Sequence, residues 1–231
     1  MRRGIGFGVF FLLSLAGIVS AQTEFSADIV DLLKPGTPVL AKIWFGSERR
    51  RLEIQAASDE GLTAMTLSAP TVGKPGTDLR VVGSGNAIIL DRANHTSTIL
   101  VPEQKVYYTG PSVRAPELYT LYAIVHPVNV DDACPEWMHG PNVAGETCKK
   151  VGDEKVNGRN TVKYDLSCYG ETCHLWIDRT LHAIVKRQTI WNSTELRNIR
   201  EIPPDYSLFQ IPPGYTEQTA TGGVIQLRRP E

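Results

Sequence analysis

The chain has 231 residues, of which 24 are basic, 25 acidic and 42% apolar, and it carries four cysteines. So much apolar content with so little net charge excludes a disordered chain, and the lack of a basic surplus or stripe argues against a nucleic-acid partner. Only one long apolar run exists, at the N-terminus, so a multi-pass membrane protein is excluded as well.

That N-terminal run reads as a secretory signal. Arg2 and Arg3 form a positive start, Ile5 to Val19 is almost wholly apolar, and Val19-Ser20-Ala21 supplies the small residues that a signal peptidase recognises. Cleavage is expected after Ala21, with residues 1–21 as the signal peptide and delivery to the periplasm or the exterior. No cysteine follows the cut, so no lipid anchor is indicated, and no transmembrane segment remains. Removing two basic residues leaves 22 against 25, a formal charge of −3. Such a mild charge points to no polyanionic partner. Residues 22–218 then read as one domain, and 219–231 as a frayed tail.

The mature chain reads as strands. Phe25 to Ile29 alternates apolar and polar, and Lys34 to Pro38 is a turn. Ala41 to Phe45 alternates again, Gly46-Ser47-Glu48 is a hairpin loop, and Leu52 to Ala56 returns. Ser58 to Asp78 is rich in Gly, Pro and small polar residues. It reads as loop, with room for a short strand at Leu62 to Leu67. Leu79 to Val82 and Ala87 to Asp91 are β-branched runs split by Gly83 to Asn86. Arg92 to His95 is a turn, and strands follow at Thr96 to Val101 and Lys105 to Tyr108.

One segment breaks the period of two. From Pro116 to Val125 apolar residues recur at helical spacing, with Pro116 suited to a first turn and His126-Pro127 to a stop. A helix of about three turns is expected there, followed by an irregular loop from Val128 to Thr147. Together, 115–148 looks like an insertion over one sheet. Strands resume at Lys149 to Glu154, Asn160 to Cys168, Cys173 to Asp178, Ala183 to Thr189 and Glu195 to Arg200. Short sequential hairpins make the sheet antiparallel, and no repeat of solenoid length is present.

Export makes the four cysteines a disulfide set. Around Gly170-Glu171 the two arms alternate in phase, and glycine sits first, as a type II′ turn wants. That register places Cys168 opposite Cys173, Leu166 opposite Leu175, and Tyr164 opposite Ile177. Cys168–Cys173 is then a cross-strand disulfide, and Cys134–Cys148 is the remaining pair. A zinc site is the weaker reading, because the spacings lack the tight knuckles zinc sites favour.

Catalytic motifs are missing from the sequence. It has no Gly-x-Ser-x-Gly elbow and no His-Glu-x-x-His, and Gly83-Ser84-Gly85 lacks the rest of a phosphate loop. The histidines, His95, His126, His139, His174 and His182, are scattered near turns and read as solvated. Asp131-Asp132 and Asp59-Glu60 are too few oxygens for calcium. Arg49-Arg50-Arg51 reads as a solvated strand edge that discourages pairing. Neither enzymatic activity nor a cofactor or metal is expected. Trp44 and Trp176 fall on the polar-phase side of their strands, so both faces of the sheet are covered or one lines a cavity.

Several stretches carry a resemblance. They are "FSADIV", "AIILDRANHTSTILVPEQKVYY", "CKKVGDEKVNGRNTVKYDLSC", "LWIDRTLHAIVKR", "ELRNI" and "SLFQIPPGY". Across Phe25 to Tyr215 the chain resembles the exported DUF4412 proteins, which are similar to the LolA/LolB lipoprotein-carrier superfamily. The resemblance implies a mainly β fold: one curved antiparallel sheet, an unclosed half-barrel with helical segments across its mouth. It also implies a periplasmic carrier whose apolar inside holds acyl chains. This chain departs from LolA in two ways: no amphipathic helix follows the cut, and the 115–148 insertion is added. If the half-barrel forms, shared phase puts Ile43, Phe45, Leu52, Ile54, Tyr164, Leu166, Leu175 and Ile177 on its inner face, where they would line an apolar or acylated ligand. The expected function is therefore a monomeric envelope binding or carrier protein. The other expectation is a non-catalytic module that docks another envelope protein through its sheet.

Overall fold

The structure is a computed structural model that describes residues 23–36, 38–55, 65–69, 77–82, 85–94, 96–111, 129–135, 147–168, 171–190, 193–218 and 223–226. The signal segment, the helix expected at 116–125 and most of the 115–148 insertion lie outside these residues. Among the described residues no helix is long and apolar enough to cross a membrane.

Fifteen strands are described: β1 (Phe25–Asp31), β2 (Val39–Phe45), β3 (Arg49–Ile54), β4 (Met65–Ala69), β5 (Thr77–Val82), β6 (Ala87–Asp91), β7 (Thr96–Val101), β8 (Val106–Pro111), β9 (Cys148–Val156), β10 (Arg159–Cys168), β11 (Glu171–Asp178), β12 (Ile184–Gln188), β13 (Ser193–Arg200), β14 (Thr216–Glu217) and β15 (Gly223–Gln226). Twelve form one open sheet in the order β14-β8-β7-β6-β3-β2-β1-β13-β12-β11-β10-β9. All its pairs are antiparallel except β14 with β8. The expected mainly antiparallel, unclosed sheet is therefore present. Among the described residues, helical backbone is confined to Cys134-Pro135 and a 3₁₀ turn at Tyr206–Phe209. The loop expected at 128–147 thus contains a helical start, and Pro135 suits its first turn.

Two meanders build the sheet, and β1 joins them. One runs outward through β2, β3, β6, β7 and β8, while the other returns from β9 to β13 and closes against β1, with Ser26 opposite Arg200. Periodicity announces strands but not partners, so this long-range seam was invisible in the sequence. For the same reason the pattern did not show that β5 and β6, neighbours in the chain, lie in different sheets. Strand β5 pairs with β4 and, in parallel, with β15 in a separate three-stranded sheet. The tail expected to fray from 219 therefore contains a paired strand.

Local turn chemistry sets several registers. The Asn157-Gly158 loop between β9 and β10 has φ of 49° and 78°, the conformation of a type I′ hairpin turn. Gly46 opens the β2–β3 loop, where an added Cβ would sit 3.2 Å from the Phe209 ring. The β10–β11 register differs from the expected one by two residues. Tyr164 faces Leu175, Leu166 faces Cys173 and Cys168 faces Glu171. The type II′ turn expected at Gly170-Glu171 falls partly outside the described residues, and Glu171 lies in β11. A shift of two keeps every side chain on its expected face.

The main core lies on one face of the sheet and draws from both meanders. It includes Phe25, Ile29, Ile43, Phe45 and Leu52 from one side, and Val162, Tyr164, Leu175, Ile177 and Leu196 from the other. Phe25 and Phe45 stack with ring centroids 4.3 Å apart. A smaller cluster on the opposite face joins Ala87, Ile89 and Leu100 to Phe209 of the 3₁₀ turn, with Trp44, Tyr107 and Tyr215 packed against it.

Candidate functional site

The eight residues expected to line the inner face do share a face. Ile43, Phe45, Leu52, Tyr164, Leu175 and Ile177 belong to the main core, and Leu166 packs against it. Ile54 is also buried. They arise from two hairpins, with Ile43 opposite Leu52 and Tyr164 opposite Leu175. Together they form a continuous apolar surface across the sheet, and all but Leu166 are at most 3% exposed.

Part of that surface is covered by residues 129–135. Val130 and Ala133 enter the core, the Tyr164 hydroxyl donates to the Val130 carbonyl at 2.7 Å, and the Ala133 amide donates to the same hydroxyl at 3.2 Å. Burial raises the Tyr164 phenol above its usual range, with Asp131 and Asp132 adding to the effect and the Ala133 amide and Lys150 opposing it. The expected Cys134–Cys148 disulfide is present, with an S–S distance of 1.99 Å, and it ties the segment to the start of β9. Cys173 is disulfide-bonded too; the side chain of Cys168 lies outside the described residues.

The Asp131 carboxylate completes the attachment. Arg179 donates to both its oxygens at 2.9 Å, and Lys150 donates at 2.7 Å. These contacts, Arg179 first, hold the Asp131 carboxyl well below the usual range and push Arg179 upward. The sequence marked Asp131 only as a weak calcium candidate. Among the described residues no group of three His, Cys, Asp or Glu is placed to hold a metal.

The arginine run departs from expectation. It lies on β3, an interior strand between β2 and β6 rather than an edge. Arg50 points to the apolar face, 1% exposed, with its guanidinium 5.1 Å from the centre of the Phe45 ring. Burial, and secondarily Arg92, lowers its pKa to about 9 against a smaller opposing pull from Glu48. Arg49 and Arg51 point the other way. Arg49 pairs with Asp91 at 3.0 Å, and Arg51 donates to the Leu208 carbonyl at 3.1 Å. Burial alone would raise the Asp91 carboxyl, but Asn94 and Arg49 outweigh it and hold that carboxyl below its usual range.

Over β10 to β12 the opposite face carries polar residues in cross-strand rows. Trp176 is 3% exposed although it sits in polar phase, because Lys163 and Lys186 cover its ring from the flanking strands, with the ammonium groups 4.9 and 4.6 Å from its centre. Its indole donates to Glu154 at 2.7 Å. His174, read as solvated, instead sits 2.6 Å from Asp165 across the β10–β11 pair. Alternation identified the face of these residues, but their cross-strand neighbours came only with the register.

No family model matches the chain, so membership of the DUF4412 proteins is not shown, and no curated protein matches it. Solved structures do resemble it. An uncharacterized conserved protein from Thermus thermophilus aligns at 10% identity over 86% of this chain and 91% of that one, with a TM-score of 0.47. MucB in the Pseudomonas aeruginosa MucA/MucB complex aligns at 14% identity over 82% of this chain and 56% of that one, with a TM-score of 0.38. A LolA superfamily protein from Nitrosomonas europaea aligns at 10% identity over 82% and 90%, with a TM-score of 0.28. These are likenesses of architecture, and no function passes from them to this chain.

Proposed function

We propose that this protein is a non-catalytic binding or carrier protein of the bacterial envelope, which holds an apolar or acylated ligand on the apolar face of its open sheet. The supporting observation is the continuity of that face, from Ile43, Phe45, Leu52 and Ile54 to Tyr164, Leu175 and Ile177. An apolar concavity left open to water would be unfavourable by about 25 cal/mol per Å². The face is therefore covered when empty, and a ligand enters only by displacing a cover. Residues 129–135 are held by the Cys134–Cys148 disulfide and by the contacts of Asp131. Docking of a partner strand is the weaker reading. Among the described residues β9 is an edge strand, and it carries Lys149, Lys150, Asp153, Glu154 and Lys155, charges that discourage strand addition.

The test is native mass spectrometry with solvent extraction of protein purified from its own envelope without detergent. Bound acyl chains or another apolar molecule are expected, and Ile54→Glu should abolish the load while circular dichroism shows the sheet retained. An empty extract, together with no binding of bis-ANS to the folded wild type, would overturn the carrier reading in favour of the interaction module.

A further inference from the structure

A recess of about 500 Å³ lies on the face opposite the proposed apolar site, where β13, β1 and β2 meet. Its origin is a β-bulge. Ser26 faces Arg200 and Asp28 faces Arg197, so Asn198 and Ile199 together oppose one residue. Asn198 takes a left-handed conformation, φ 52°, which is uncommon away from glycine. Bulges re-aim side chains and open the ladder, and they recur beside binding sites. Here the bulge turns the Asn198 side chain onto Asp28, with Nδ2 donating at 2.7 Å.

The lining is chemically mixed. Trp44 lines the recess with a half-buried indole that also packs against the Phe209 cluster, and the Arg51 guanidinium lies 6.0 Å from its ring centre. Lys42 stands two residues along the same strand, and Arg200 stands across β1 in the same row as Trp44. Both are exposed, and neither forms an ion pair among the described residues. Asp28 and Asn198 supply a carboxylate and an amide. The volume falls within the range of small-molecule sites.

We infer that this recess binds an acidic saccharide. An indole face suits the flat C–H side of a sugar ring, and a carboxylate with an adjacent amide suits ring hydroxyls. Two exposed cations, Lys42 opposite Asp28 and Glu53 in register and Arg200 in the row of Trp44, outnumber the one amide-bonded carboxylate that lines the recess and favour a ligand that bears negative charge. An apolar chain would leave these cations unpaired, so the site does not compete with the apolar face and stands independently of the carrier reading.

Isothermal titration calorimetry of the mature protein tests this with digalacturonate, glucuronate-terminated disaccharide and N-acetylmuramic acid, each against its uncharged counterpart. At least one acid should bind, and better than its neutral form. Trp44→Ala should weaken binding at least about tenfold. Lys42→Gln and Arg200→Gln, both at exposed positions, should erase the preference for acid and lower the salt dependence. Absence of binding by all three acids, equal binding of neutral forms, or indifference to Lys42→Gln and Arg200→Gln would overturn the inference.

Discussion

Arg50 shows how far one residue can depart from what its type suggests. It belongs to a run of three arginines on a strand, yet alternation sends it alone to the apolar face, where it is 1% exposed against Phe45. Burial disfavours its charged form, and Arg92 adds to this. A long apolar side chain fills the same space without that cost. Arg50→Met should therefore leave the thermal midpoint unchanged or raise it, while Arg50→Glu, which reverses the charge in the same apolar setting, should prevent folding. Thermal unfolding followed by circular dichroism checks both. A large loss of stability in Arg50→Met would mean that its polar contacts outweigh the burial penalty. The sequence carries the signal for its burial, since Arg50 shares phase with Leu52 and Ile54, although a basic run by its composition points to solvent.

At the level of elements, the segment 129–135 was the least predictable part of the described structure. It has no period, and its place is decided by tertiary contacts: the Tyr164 hydroxyl, the Cys134–Cys148 bond and the Asp131 cluster. Asp131 makes these contacts testable by pH. Its folded pKa lies below the ordinary carboxylate value of about 4. Its contribution is thus fully present above pH 4 or so and is lost as pH falls through the folded value. Asp131→Asn should lower the midpoint at neutral pH, and the gap to wild type should close progressively under strong acid. An equal gap at both extremes would show that the effect is not carried by the charge. Strands were far more legible. The bounds of β7 and the β2–β3 loop follow directly from alternation and from Gly46-Ser47-Glu48, whereas the β10–β11 register differs by two residues because such a shift leaves the alternation of faces unchanged, so the pattern cannot distinguish the two.

On the scale of the whole molecule, β1 determines the architecture. It lies between β2 and β13, so the first strand and one of the last complete each other's ladders. The main core likewise takes side chains from both meanders. Neither meander can bury its apolar face alone, so chemical denaturation should give one transition, coincident by far-ultraviolet circular dichroism and by tryptophan fluorescence. Two separated transitions would show that the meanders fold independently. Pairing across so long a stretch of chain also predicts slow folding, because loop closure precedes the contacts that reward it.

The sequence by itself determined the class of the fold, most of the strands and the face each apolar residue takes, because side-chain direction alternates locally and needs no partner. It determined the set Ile43, Phe45, Leu52, Ile54, Tyr164, Leu166, Leu175 and Ile177 for the same reason. Only the tertiary structure decided which strands are neighbours: the β1–β13 seam, the separate β4-β5-β15 sheet, the interior position of β3. Sites made by neighbours were hidden with them. Trp44 was visible as an out-of-phase aromatic, but the recess beside it needs Arg200 and Asn198, more than 150 residues away in the chain and brought there by a register and a bulge that no local pattern specifies.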